Sequence, residues 1–211
     1  MARASREQVA HRRDEILDGC CALYESKPFR EITFAAIAER TSISRPSIYN
    51  YFDTIGEIFL GLLQREYEAW IVDLDALREE EPLPREQFCG KLAASLEERR
   101  TMLKIQSLNL HEIEDSSRIG RLTDFKVSYC HSVKALDGCL LRHFPQMTEE
   151  ERERFRLVFL PFLNGVYPYA EPTPKQLEAM KAAGIPRIDA TIYDLVNSCL
   201  LQLLPEGKET P

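Results

Sequence analysis

The chain has 211 residues, 44% hydrophobic and 29% charged, with apolar material for a packed core and room for one large or two small domains. No apolar run approaches the ~18 residues that a membrane span needs. Met1 to Arg13 has no apolar stretch of the signal-peptide kind, so the expected location is the cytosol. The formal charge of −7 argues at first against nucleic acid as a partner, but residues 1–52 hold eight Lys and Arg against seven Asp and Glu. A small basic head on an acidic body can bind DNA, because phosphate attraction is local and screened beyond about 8–10 Å.

All segments read as helix, since none shows the sustained alternation of a strand. The first helix is expected from about Ser5 to Glu25, with Val9, Ile16, Cys20 and Tyr24 on one stripe, and Pro28 ends it. A short helix follows from Phe34 to Arg40 or Thr41, with Thr33 as N-cap. After the tight connection Ser42-Ile43, a third helix runs from Ser44 as N-cap to near Phe52. Its Pro46 falls in the first turn, where a missing N–H costs nothing. Thr54-x-x-Glu57 is a capping box opening a long helix to about Glu79. Further helices are expected at 85–98, 101–114, 119–143, 148–168 and 188–204, with Pro161 kinking or shortening the one that holds it. Tyr167 to Pro186 reads as a long connection with one short helix started by Thr173-Pro174.

Six scattered cysteines (Cys20, Cys21, Cys89, Cys130, Cys139, Cys199) form no C-x-x-C pair, so no structural zinc is expected. Most fall at apolar helical positions and read as buried thiols, with redox sensing the alternative. His111-Glu112-Ile113-Glu114-Asp115 lacks the second histidine at i+4 that a helical zinc site requires and reads as a solvated acidic helix end. There is no G-x-S-x-G elbow, phosphate loop or metal cluster, so neither an enzyme nor a cofactor is expected.

The informative stretch is Phe34 to Phe52, two short helices joined by a tight turn. Ile37 and Ala38 face Ile43, Ile48 and Phe52, which leaves Arg45, Pro46, Tyr49 and Asn50 on the opposite face. A bidentate donor, an amide and a phenol there suit base edges and phosphates. The sequence here resembles the TetR family of transcriptional regulators. The resemblance rests on Ile16-Leu17, Phe29-x-x-Ile32-Thr33, Ile37-Ala38, Ile43-Ser44-x-x-Ser47-Ile48-Tyr49-x-Tyr51-Phe52 and Glu57-Ile58, and covers roughly residues 8–65. It implies an all-α protein with a helix-turn-helix DNA-binding domain over 1–53 and a helical ligand-binding and dimerisation domain over 54–211.

The resemblance also implies roles. Arg45, Pro46, Ser47 and Asn50 occupy base-reading positions, with Ser44 beside them at the helix start. Tyr49, Tyr51 and Thr33 match residues that grip phosphates, and Arg3, Arg6 and Arg12 extend toward neighbouring phosphates or the minor groove. One departure is Thr54-Ile55-Gly56-Glu57 where the family usually has Ser-Lys-Glu. The missing lysine at Ile55 predicts weaker DNA binding with a lower salt slope. In the second domain the implied partner is another copy of the chain, through apolar faces in 151–168 (Phe155, Val158, Phe159, Phe162) and 188–204 (Ile192, Leu195, Val196, Cys199, Leu200, Leu203). The implied small-molecule pocket draws on Trp70, Met102, Gln106, Asn109, Phe125, Tyr129, Phe162 and Tyr167. The expected function is a ligand-responsive regulator on double-stranded operator DNA, a repressor released by its effector, with the fourth helix as lever. Repressor and activator are not distinguished by the residues themselves.

Overall fold

The structure, a computed structural model, describes residues 6–187 and 189–206. Most of its helices follow from the periodicity above, and no strand occurs among the described residues. In chain order the helices are α1 (Arg6–Ser26), α2 (Phe34–Ala38), α3 (Arg45–Ile48), α4 (Ile55–Glu79), α5 (Arg85–Glu98), α6 (Arg100–Gln106), α7 (Leu110–Asp115), α8 (Ile119–His143), α9 (Glu149–Ala170), α10 (Pro174–Ala182) and α11 (Ile192–Leu203). A 3₁₀ turn at Phe29–Glu31 precedes α2. They form two compact units. The first holds the chain up to Arg65 together with Leu110–Val127; the second holds Glu66–Asn109 and the chain from Ser128. Both α4 and α8 contribute residues to each unit.

The first unit closes on Ile16, Cys20, Ile37, Ile43, Ile48, Phe52, Ile58 and Phe59, all essentially without solvent contact. Burial of each such side chain is worth roughly 1.5–3 kcal/mol. Phe59 receives the edges of Tyr24 and Phe29 at ring separations of 4.8 and 4.7 Å. A Cβ at Gly19 of α1 would stand 2.7 Å from the Thr41 methyl, so any larger residue there would force the neighbour to shift. That approach lets the Glu15 carboxylate accept the Ser42 N–H and fix the turn between α2 and α3. The hydrogen bonds from Ser42 hold that carboxyl below its usual pKa.

The second unit is built on Trp70, Phe88, Leu92, Leu96, Met102, Leu136, Cys139, Phe159, Val196 and Leu200. His143 is buried among them. Its Nδ1 accepts the Leu83 N–H at 3.1 Å, so its Nε2 is the donor toward the Leu77 carbonyl at 2.9 Å. Arg152, a charged residue on the inward side of α9, is accommodated by Asp137, Glu149 and the Met147 carbonyl. Past α10, Gly184 takes φ +68°, and the Ile185 N–H reaches back to the Met180 carbonyl at 2.9 Å, closing the helix as a Schellman cap.

Four expectations change. Helix is not continuous over 101–114: the Ser107 hydroxyl bonds back to the Lys104 carbonyl at 2.7 Å, the chain turns, and α7 restarts at Leu110. Pro161 does not shorten its helix, and the expected connection begins only after Ala170, because α9 runs through Pro161 and Pro168. Both prolines lie on the exposed side of α9, opposite buried Phe155, Phe159, Leu163 and Val166. The carbonyls they leave without an N–H partner, on Leu157 and Asn164, belong to exposed residues that water can serve. The last helix starts at Ile192, with Thr191 as its cap. Finally, α2 and α3 are shorter than expected, since each tightens into i−3 bonds: Arg40 to Ile37 at 3.0 Å, and Tyr51 to Ile48 at 2.9 Å.

Candidate nucleic-acid interface

The helix-turn-helix is assembled from the core outward. Ile37 of α2 and Ile48 of α3 are fully buried with Ile43 and Phe52. Ile48 and Phe52 are four residues apart and turn inward together, which leaves Arg45, Pro46, Tyr49 and Asn50 exposed, with Ser47 half-buried beside them. Tyr49 is 46% exposed, and its ring leans on Phe34 of α2 with centroids 4.7 Å apart. That contact stations the phenol while leaving its surface open. Thr33 caps α2, its hydroxyl accepting the Ala36 N–H at 3.2 Å. Ser44 stands at the N-cap position of α3 in extended conformation, but its side chain makes no capping bond. Its hydroxyl pairs instead with that of Ser47 at 2.8 Å. Arg3 and the side chain of Arg6 lie outside the described residues.

Behind this face lies an ionic network that no local pattern signals. Glu57 in the first turn of α4 is fully buried. As the capping box predicts, its N–H donates to the Thr54 hydroxyl at 3.1 Å, but its carboxylate accepts the Asp53 N–H at 2.8 Å and not that of Thr54. The same carboxylate accepts three bonds from Arg118: the backbone N–H at 2.9 Å, Nε at 2.7 Å and Nη2 at 2.6 Å. Arg118 Nη2 and Arg121 Nη2 also donate to the Tyr51 carbonyl at 3.2 and 3.1 Å. The guanidinium groups of Arg13 and Arg121 lie 5.7 and 5.6 Å from the Phe52 ring centre. Burial, with the like charges of Arg13 and Arg118, pulls the Arg121 pKa below its usual value, a mark of three cations gathered at one place.

An amphipathic two-helix element with an exposed Arg, Tyr and Asn is the geometry that enters a major groove. The comparisons agree with it. Residues 16–62 match the model for bacterial regulatory proteins of the tetR family, and residues 64–206 match the model for the tetracyclin repressor-like C-terminal domain.

The chain belongs to the TetR family.

A curated relative, the nucleoid occlusion factor SlmA of Idiomarina loihiensis, is 29% identical over 75 residues, which are 36% of this chain and 38% of that protein. Among solved structures, FadR of Bacillus subtilis in complex with stearoyl-CoA aligns with 14% identity and a TM-score of 0.58 over 90% of this chain and 96% of that one. FadR of Bacillus halodurans gives the same identity and TM-score over 100% of both. Identity that low shows a shared fold. It is the two family matches that make this TetR-family chain a DNA-binding regulator of the helix-turn-helix type. None of its described helices is long and apolar enough to cross a membrane.

The positive charge that this TetR-family member lacks at Ile55 is present nearby in Arg13, Arg118 and Arg121, although Arg118 is committed to Glu57 and Asp53. Its effector candidates divide between the units. In the second unit Gln106, buried, donates from Nε2 to the Tyr67 hydroxyl at 2.6 Å, and the Tyr67 ring meets that of Tyr129 at 5.5 Å. The carbonyl oxygen of Gln106 is buried without a hydrogen-bond partner. Trp70 is fully buried and donates to Ser95 at 3.2 Å; Met102 is fully buried as well. Phe162 stacks on Phe159 at 6.4 Å, and Tyr167 carries the Arg100 guanidinium 5.9 Å from its ring. Asn109 is exposed, in the turn between α6 and α7, and Phe125 is buried in the first unit. Sequence reasoning passed over Tyr67, whose polar end at a helical position three residues before Trp70 was the available signal.

Proposed function

We propose that the chain is an operator-binding repressor that acts as a homodimer and releases DNA when a small molecule enters its second unit. The observation that carries this reading is the face of Arg45, Pro46, Tyr49 and Asn50, exposed, with Ser47 half-buried beside them, on an element whose other side is fully buried. Arg45 suits guanine O6/N7 and Asn50 suits adenine N6/N7, while Pro46 and the Ser47 carbon suit a thymine methyl. Tyr49, Tyr51, Thr33 and Ser44 then contact the phosphates on either side. In this reading residues 1–53 form the head and 54–211 hold partner and effector, and the chromosomal operator sets the place of action as the bacterial cytoplasm.

A head this small needs a twin, because two half-sites one turn apart supply the specificity that one recognition helix lacks. Support for the pairing comes from α9. Leu157 and Tyr169 are 69% and 71% exposed, and Val158, Pro161 and Gly165 share their side of the helix. On α11 the half-buried Leu195, Cys199 and Leu203 are the available residues. Phe155, Phe159, Ile192, Val196 and Leu200 are spent within the chain's own core.

For the effector, a buried carbonyl without a partner costs about 1–3 kcal/mol, so the Gln106 Oε1 beside Tyr67 and Tyr129 favours a molecule that donates a hydrogen bond. FadR of Bacillus subtilis, a protein of like fold, was solved with stearoyl-CoA, which supports a second unit able to enclose a ligand.

Gel shifts on a duplex selected by the wild-type chain from random DNA test the reading face. Tyr49→Ala is expected to weaken every duplex to a similar degree. Asn50→Ala is expected to relax preference at one base position by about 1–3 kcal/mol. If both variants bind like wild type, or the wild-type chain selects nothing, the reading fails.

A further inference from the structure

We propose that Arg118 is a positioning residue for DNA recognition, one that aims the reading face by holding Glu57 and the Tyr51 carbonyl. The proposal rests on the DNA-reading role of α3. Arg118 lies 61 residues from Glu57 in sequence, at the turn that leads into α8. It spends three hydrogen bonds on that one buried carboxylate and a fourth on Tyr51.

Such an arrangement is a poor device for stability alone. Glu57 is buried while Arg118 stays 45% exposed, so desolvation of the carboxylate offsets much of the attraction, and the best-attested use of such a pair is to fix one arrangement among several. The reading face has need of this. The α-helical part of α3 spans only Arg45–Ile48, and the chain leaves it through i−3 bonds at Asn50 and Tyr51. So short an element cannot hold its own direction. The Tyr51 carbonyl is one of the acceptors left over at its end. Two guanidinium groups claim it, one and two residues after Asn50 and Tyr49. Glu57 completes the fastening through the Asp53 N–H, which pins the chain on the other side of Phe52. A bidentate contact to a base edge tolerates little displacement, so the direction of Tyr49 and Asn50 depends on these bonds. Arg118 leads into α8, whose later residues belong to the second unit, so the chain itself gives that unit a route to the fastening.

The test uses the full chain with Arg118→Gln, Arg118→Lys and Glu57→Gln. Three quantities are read: affinity for the selected duplex across a salt series, amide exchange at residues 44–53 without DNA, and thermal melting. Arg118→Gln is expected to lower affinity about tenfold or more, to leave the salt slope as in wild type, and to speed exchange at 50–53. Glu57→Gln is expected to do the same, and Arg118→Lys to recover part of the loss. A salt slope reduced by about one with unchanged exchange would make Arg118 a direct phosphate contact and overturn the proposal. Unchanged affinity would overturn it too. If Arg118→Gln melts too early to assay, Arg118→Lys carries the comparison. If the wild-type chain selects no duplex, the function proposed above fails, while unchanged exchange at 50–53 is what removes the fastening itself.

Discussion

Two opposing effects act on the carboxyl of Glu57. Burial raises its proton affinity, while the bonds from the Arg118 side chain and from the Asp53 and Arg118 amides, with the guanidinium charge, lower it. The lowering prevails, so the folded-state pKa is the smaller one. The stabilisation is therefore fully present above the unfolded carboxylate value of about 4.3 and is lost as pH falls through the folded value. Glu57→Gln is expected to be less stable than wild type at pH 7, with the gap closing as urea midpoints are followed below about pH 4.3. A gap that stays constant down to pH 3 would mean that the charge is not what the fold uses. For the buried thiols burial is the largest influence. It pushes Cys20 and Cys139 up to about 12 and Cys89 up to about 11, which keeps them as thiols and sets them against redox sensing. Cys130 is exposed and stands outside the buried reading made for most of the six.

Helix starts were the most legible feature between residues. Thr33 and Thr173 each accept the amide three residues on, where local spacing put them, and Thr148 does the same at the start of α9. Thr191 with Asp194 does the same and was passed over, because aspartate stands where the pattern looks for Glu or Gln. Thr148→Ala is expected to lower stability by about 1 kcal/mol in urea titration. No change would mean that the entry to α9 is held by Glu149, Arg152, Arg156 and Asp137 instead. Helix ends were less legible. Whether α2 and α3 finish as α or 3₁₀ turns depends on burying Ile37, Ile48 and Phe52 together, and no neighbour in sequence records that packing.

At the scale of the whole molecule, the proposed dimer makes a demand on α9. Its outer side presents Leu157, Val158, Pro161, Gly165 and Tyr169, while its inner side is filled by the chain's own core. Val158→Glu is expected to leave folding intact, because the side chain is already half in solvent, and to convert a dimer into a single chain in sedimentation equilibrium. Operator affinity should fall with it, since the second half-site is lost. A variant that still sediments as wild type would place the pairing elsewhere.

The sequence by itself determined the helical class, most of the helix order and which side of the helix-turn-helix is exposed. These follow from periods of three and four residues, from caps and from prolines, all of which act within a few residues. The face of Arg45, Tyr49 and Asn50 was legible because Ile48 and Phe52 must both turn inward. Only the tertiary structure decided that residues 110–127 join the unit of the helix-turn-helix, and that Arg118 meets Glu57. An ion pair between residues so far apart in the chain leaves no periodic trace: Glu57 alone reads as a helix cap, and Arg118 alone as one more charge. The helix-turn-helix was thus visible from its own residues, and what fastens it was not.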